Sequence, residues 1–179
     1  MKYRPRIAIY CTLIVTAILA LPTPARSQIL SPPAKTACKF SDGRTIKVDY
    51  ASPRMRGRKI FGDLVPYGEE WRVGADEATM FVTDTNLVVG GKEVPAGRYS
   101  LFALPTPAKW TLIISKTIGE WGIPYPGAQF DFARIEMKVS KLASPMENFT
   151  ISFDQAGAGC TMKLDWELTR ASIVITEKK

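Results

Sequence analysis

Between positions 160 and 168 every second residue is apolar (Cys160, Met162, Leu164, Trp166, Leu168), and Thr161, Lys163, Asp165 and Glu167 fill the gaps. A repeat of two puts all five apolar side chains on one side of an extended chain and scatters them around a helix, so the stretch reads as a half-buried β-strand. The alternation recurs in Ile46-Val48-Tyr50, Ile135-Met137-Val139 and Phe149-Ile151-Phe153. Further strands are expected at residues 79–83, 98–104, 110–115 and 171–176. Asp42-Gly43 and Gly90-Gly91 have the composition of tight hairpin turns, and Pro95-Ala96-Gly97 turns the chain into the strand that follows. Many short strands with no long amphipathic helix between them predict an all-β fold, an antiparallel two-sheet β-sandwich with a closed β-barrel as the alternative.

Residues 1–27 read as a signal peptide. A basic start (Lys2, Arg4, Arg6) precedes an apolar run from Ile7 to Leu21 and a Pro-rich stretch that ends in small residues. The run is shorter than the roughly 20 residues a membrane-crossing helix needs, so no stable span is expected after cleavage. Residues 28–37 read as a Pro/Ser/Ala linker, and 38–179 as a single domain large enough to build its own core. The chain carries a formal +7, but Lys2, Arg4, Arg6 and Arg26 leave with the signal. The remaining excess is too mild to predict nucleic-acid binding. Export to the periplasm or beyond places Cys38 and Cys160 in an oxidising compartment. A disulfide between them is expected to stabilise by about 4–5 kcal/mol in the chain-entropy account.

There is no histidine. Imidazole-assisted serine or cysteine nucleophiles and histidine-bearing zinc sites are therefore excluded, and no phosphate loop, dinucleotide fingerprint or serine elbow occurs. No catalytic residue, metal or cofactor is assigned on this basis. Carboxylate chemistry on glycosidic bonds needs two acids about 5–9 Å apart. Asp63, Glu69, Glu70, Asp76, Glu77 and Asp131 are the available acids.

The stretch SPRMRGRKIFGDLVPYGEEWRVGADEATMF, residues 52–81, crowds Arg54, Arg56, Arg58 and Lys59 ahead of Glu69, Glu70, Asp76 and Glu77. If it is extended, the three arginines form a ladder on one side at about 6.6 Å spacing. That ladder either folds onto the acids as an internal clasp or keeps guanidinium groups free for an anionic ligand beside Trp71. A second stretch, GEWGIPYPGAQFDFAR (residues 119–134), sets Trp121, Tyr125, Phe130 and Phe132 among glycines and prolines. It reads as a long loop, either a functional surface or a hydrophobic lid.

The runs DYASPRMRGRKIFGDLVPYGEEWRVGADEATMF, GGKEVPAGRYSLFALP, WTLIIS and LDWELTR resemble a bacterial secreted family, domain of unknown function 2911, over residues 38–176. The resemblance implies an exported β-rich domain and carries no reaction. The positions that match it include Ser52, Pro53, Arg54, Gly57, Arg58, Trp71, Arg72, Gly74, Ala75, Glu77, Thr79, Gly97 and Tyr99. Trp121, Gly122, Tyr125, Asp131 and Arg134 fit it more loosely. Asp76 stands where the family usually has Asn.

The functional expectation is a non-enzymatic binding module of the bacterial envelope, with a site drawn from Arg54, Arg58, Trp71, Arg72, Glu77, Trp121, Tyr125 and Arg134. Its partner would be a small anionic or glycan-like ligand, or an envelope protein. A carboxylate-based glycoside-active enzyme and a structural or assembly component are the alternatives.

Overall fold

The computed structural model describes residues 30–179, so the predicted signal peptide lies outside the described residues. The strands are β1 (Pro33–Lys39), β2 (Thr45–Ala51), β3 (Ala75–Thr83), β4 (Leu87–Val89), β5 (Lys92–Val94), β6 (Gly97–Pro105), β7 (Trp110–Ser115), β8 (Asp131–Ala156) and β9 (Gly159–Glu177). One 3₁₀ turn, Ala128–Phe130, is the sole helical element among the described residues. The strands form one antiparallel sheet in the order β1-β2-β3-β6-β7-β8-β9-β4-β5, with no closure into a barrel. The fold is all-β as expected, but the two sheets of the predicted sandwich are hydrogen-bonded into one through β8. This strand pairs with β7 from Asp131 to Met137 and with β9 from Lys138 onward.

The hairpins close at the predicted turns. Gly43 donates to the Phe40 carbonyl at 3.0 Å between β1 and β2, and Gly90-Gly91 joins β4 to β5. Two differences from the sequence reading have physical causes. The chain is already paired from Pro33, inside the segment read as linker, because Ala34, Thr36 and Cys38 lie opposite Tyr50, Val48 and Ile46 of β2. The strand segments around Ile135 and Phe149 belong to one strand, and so do those around Trp166 and Ile173. Register shifts between Lys141 and Thr150, with Glu167 at φ 54°, bend this pair without breaking it. Bulges of this kind bend strands where turns would end them.

A single core is shared by the arms of the sheet. Ile46, Val48, Phe81, Leu101 and Leu112 meet Phe149, Ile151, Met162, Leu164 and Trp166, all essentially inaccessible. Cys38 and Cys160 form the predicted disulfide inside this core, with Cα atoms 6.5 Å apart. It ties edge strand β1 to β9. The long connection from β2 to β3 also enters the core through Ile60, Phe61, Val65 and Val73. One end is pinned to β8 by Met55 N–H to the Glu147 carbonyl and Phe149 N–H to the Pro53 carbonyl, each 2.9 Å. The other end is pinned to β6 by reciprocal 2.8 Å bonds between Trp71 and Ala103. A connection fixed at both ends and buried along its middle is a rigid place to mount side chains.

Candidate functional site

The arginine segment is a turn, which corrects the ladder expectation. Arg56 and Gly57 have φ of 50° and 70°, so the chain reverses between Arg54 and Arg58 and the three side chains do not line one extended face. Each guanidinium is oriented by oxygens that carry no formal charge. Arg54 Nη1 donates to Ser52 Oγ at 2.9 Å, and Ser52 Oγ donates to the Phe149 carbonyl at 2.7 Å. Arg58 Nε and Nη2 donate to the carbonyls of Met55 and Arg54, at 3.0 and 2.7 Å, and Arg56 Nη2 reaches the Leu30 carbonyl at 3.2 Å. Among the described residues none of the three forms an ion pair, so the internal clasp with Glu69, Glu70, Asp76 and Glu77 does not form.

The segment Trp71-Arg72-Val73-Gly74-Ala75-Asp76 holds the most unusual backbone near the site. Val73, fully buried, has φ 53°, and Asp76 has φ 59°. A β-branched residue in the left-handed region costs on the order of 1–3 kcal/mol and persists only where its surroundings fix it. Here Thr79 fixes it: the Oγ1 hydrogen-bonds the Val73 carbonyl at 2.5 Å, and the N–H bonds the Arg72 carbonyl at 3.3 Å. Gly74 is required because a Cβ there would stand 2.9 Å from the Ala51 carbonyl oxygen. Position 76 tolerates Asp in place of Asn for a conformational reason, since both residues enter the left-handed region readily.

Arg72 emerges from this strained turn. Its stem packs on Gly122, where an added Cβ would meet Arg72 Cβ at 2.9 Å, and its guanidinium carbon sits 6.0 Å from the centre of the Trp121 ring. Nε and Nη1 are buried without a hydrogen-bond partner. Burial pushes the Arg72 pKa below the usual arginine value, and the field of Asp76 acts in the opposite direction. Trp71 is placed differently from the expectation of a ligand-facing ring. It stacks on Trp166 at 5.9 Å, meets Phe61, Trp110 and Phe149 edge-on, and donates its indole N–H to the Gly74 carbonyl at 3.1 Å. Most of its surface is committed to the core.

Arg54, Arg56, Arg58 and Arg72 converge on one cleft of about 330 Å³, walled by Leu64, Val65, Trp71, Ile123 and Trp166, with no carboxylate in its lining. A neighbouring hollow of about 390 Å³ shares Leu64, Val65, Trp71, Arg72 and Ile123 with it and continues to Glu69, Glu70 and Tyr125. Glu77 and Trp121 lie elsewhere, in a separate hollow of about 470 Å³ with Tyr50, Met80 and Asp76. Arg134 and Tyr125 form a bracket beside the groove. Arg134 Nε binds Asp131 Oδ2 at 2.6 Å, its Nη2 reaches Glu70 Oε1 at 3.1 Å and the Tyr125 hydroxyl at 3.2 Å, and that hydroxyl donates to Asp131 Oδ1. Burial and the bond to Asp131 push the Tyr125 phenol up to about 12. Its carboxylate contacts raise Arg134.

Of the residues assigned to a site from sequence, Arg54, Arg58, Trp71 and Arg72 are brought together, while Tyr125 lines the adjoining hollow and Arg134 is bonded to Tyr125 and Glu70. Glu77 is set apart, and Trp121 lines the separate hollow while its ring lies 6.0 Å from the Arg72 guanidinium. Leu64, Ile123 and Trp166 were missed. The first two sit in turn-rich segments beside prolines, and such isolated apolar residues in loops were the available signal. The acids proposed for glycosidic chemistry are divided among sites: Asp131 and Glu70 are bound to Arg134, while Asp76 and Glu77 share the separate hollow. Among the described residues no group of three or more potential metal ligands occurs.

Fold and site define a β-rich domain with an arginine-lined, carboxylate-free cleft mounted on a rigid connection. Residues 31–175 match the family described as "Protein of unknown function (DUF2911)", and the chain belongs to that family. No curated protein and no solved structure matches it.

Proposed function

We propose that the protein is an exported, non-enzymatic module that holds a small anion in the arginine cleft. The carrying observation is the convergence of four arginines on one concave surface whose lining contains no carboxylate. Guanidinium groups present planar, forked donors that match phosphate and carboxylate oxygens, and neutral oxygens that orient them leave their charge uncompensated. Arg54, Arg58 and Arg72 are the principal contacts; Arg56 adds charge at the mouth. The apolar walls lower the local dielectric and strengthen each contact. Export is supported by the basic-then-apolar N-terminal sequence and by the buried Cys38–Cys160 disulfide.

Thermal unfolding of the purified protein in phosphate, sulfate, acetate and chloride series, at constant ionic strength, tests the proposal. An anion at about a hundred times its dissociation constant stabilises by about 2.7 kcal/mol, which raises Tm by several degrees. Arg58→Gln and Arg54→Gln are expected to reduce that increment. An increment that is unchanged in both variants, or absent with every anion, refutes the reading.

A further inference from the structure

The groove that carries the arginines also carries Leu64, 44% exposed, and Ile123, 66% exposed. Isolated exposed apolar residues are ordinary on a protein surface. These two come from loops about sixty residues apart in the chain and line both the arginine cleft and the adjoining hollow. Each is next to, or one residue from, a proline: Val65-Pro66 follows Leu64, and Pro124 follows Ile123. Proline restricts the residue directly before it, so Pro124 limits the backbone of Ile123 to extended conformations. Trp71 contributes only part of the apolar lining, because Trp166, Phe61, Trp110 and Phe149 pack against its ring. At the far end of the groove stand Glu69 and Glu70. A ligand with a second anionic group extending along the groove would meet them, whereas an uncharged extension would not.

Building on the anion-binding reading, we infer that the ligand is a soluble anionic amphiphile. A single phosphate or carboxylate head sits among Arg54, Arg58 and Arg72, and a short alkyl or aryl body lies on Leu64 and Ile123. A concave, partly open cleft of about 330 Å³ has room for one such molecule.

Calorimetric titration of the intact, disulfide-bonded protein with inorganic phosphate, methyl, butyl and hexyl phosphate, hexanoate and pyrophosphate tests this. Full burial of a methylene corresponds to about a fourfold gain in affinity, so in a partly open groove affinity is expected to rise about twofold per methylene. Leu64→Ser/Ile123→Ser, at positions already exposed, is expected to flatten that slope, with the affinity of each variant for inorganic phosphate as the reference from which the slope is read. Inorganic phosphate binding with no chain-length dependence in the unaltered protein overturns the amphiphile and leaves the anion reading standing. So does pyrophosphate binding more tightly than hexyl phosphate, or a slope that survives the double substitution. Association with anionic phospholipid vesicles but with none of the soluble series overturns it in favour of a membrane surface. No binding of phosphate or of any alkyl anion defeats both readings.

Discussion

Replacing Arg72 by methionine separates stability from function more sharply than any other single change. Methionine keeps an unbranched stem against Gly122 and removes the guanidinium. In the free protein that group holds two buried donors, Nε and Nη1, without partners. An unsatisfied buried donor costs about 1–3 kcal/mol; taking the low end, because the side chain is only partly buried, removal relieves about 2 kcal/mol. The contact with Trp121 at 6.0 Å is lost, which returns about 0.5–1 kcal/mol. The net expectation is that Arg72→Met is more stable than the parent by about 1 kcal/mol without ligand, a Tm rise of about 2–4 °C for a domain of this size. With saturating phosphate the order reverses, since the parent gains more from occupancy than a variant left with Arg54 and Arg58. Calorimetric scans of both proteins with and without phosphate measure all four states. A ligand-free variant destabilised by 1 kcal/mol or more would show that Arg72 is a structural member of the fold, and the argument from its unpaired donors would fail. Residues at binding sites that impair the stability of the empty protein are the usual form of this trade-off.

Three further outcomes follow from the same geometry. Cys38→Ser/Cys160→Ser removes a cross-link that spans 122 residues, and the chain-entropy account puts the loss at about 5 kcal/mol, measurable as a lower denaturant midpoint. Burial and the bond to Asp131 disfavour the phenolate and push the Tyr125 phenol up to about 12. Its contribution to stability is therefore full below about pH 10 and lost as pH rises through about 12, and ultraviolet titration of the parent against Tyr125→Phe isolates the late step. Gly122→Ala forces a Cβ to 2.9 Å from Arg72 Cβ at φ 81°; a loss of about 1–2 kcal/mol together with weaker phosphate binding is expected. Unchanged stability in that variant would mean that the 119–134 loop does not bear on Arg72.

The strands were legible wherever one face is buried and the other wet. Ile46 and Val48 alternate with Lys47 and Asp49 because the sheet has an inside there, and the same holds from Cys160 to Leu164. Asp165 marks where that reading stops. Its place in the alternation assigns it outward, yet it is buried and bonded twice by Arg170, at 2.8 and 2.7 Å, a partner that local patterning does not supply. The arginine cleft was legible as a composition and not as a shape. Three alternating cations imply a ladder only in extended chain, and Gly57 in Met55-Arg56-Gly57-Arg58 marked the turn that abolishes it. The role of Trp71 depended on four aromatic partners drawn from the connection and from β7, β8 and β9, information that no window around position 71 contains.

The covalent link from β1 to β9 encircles most of the polypeptide, including both loops that build the groove. A protease that nicks the exposed stretch around Ile118 and Gly119 therefore releases nothing. The two pieces stay riveted until a reductant arrives, and a clipped molecule migrates as a whole one on a non-reducing gel.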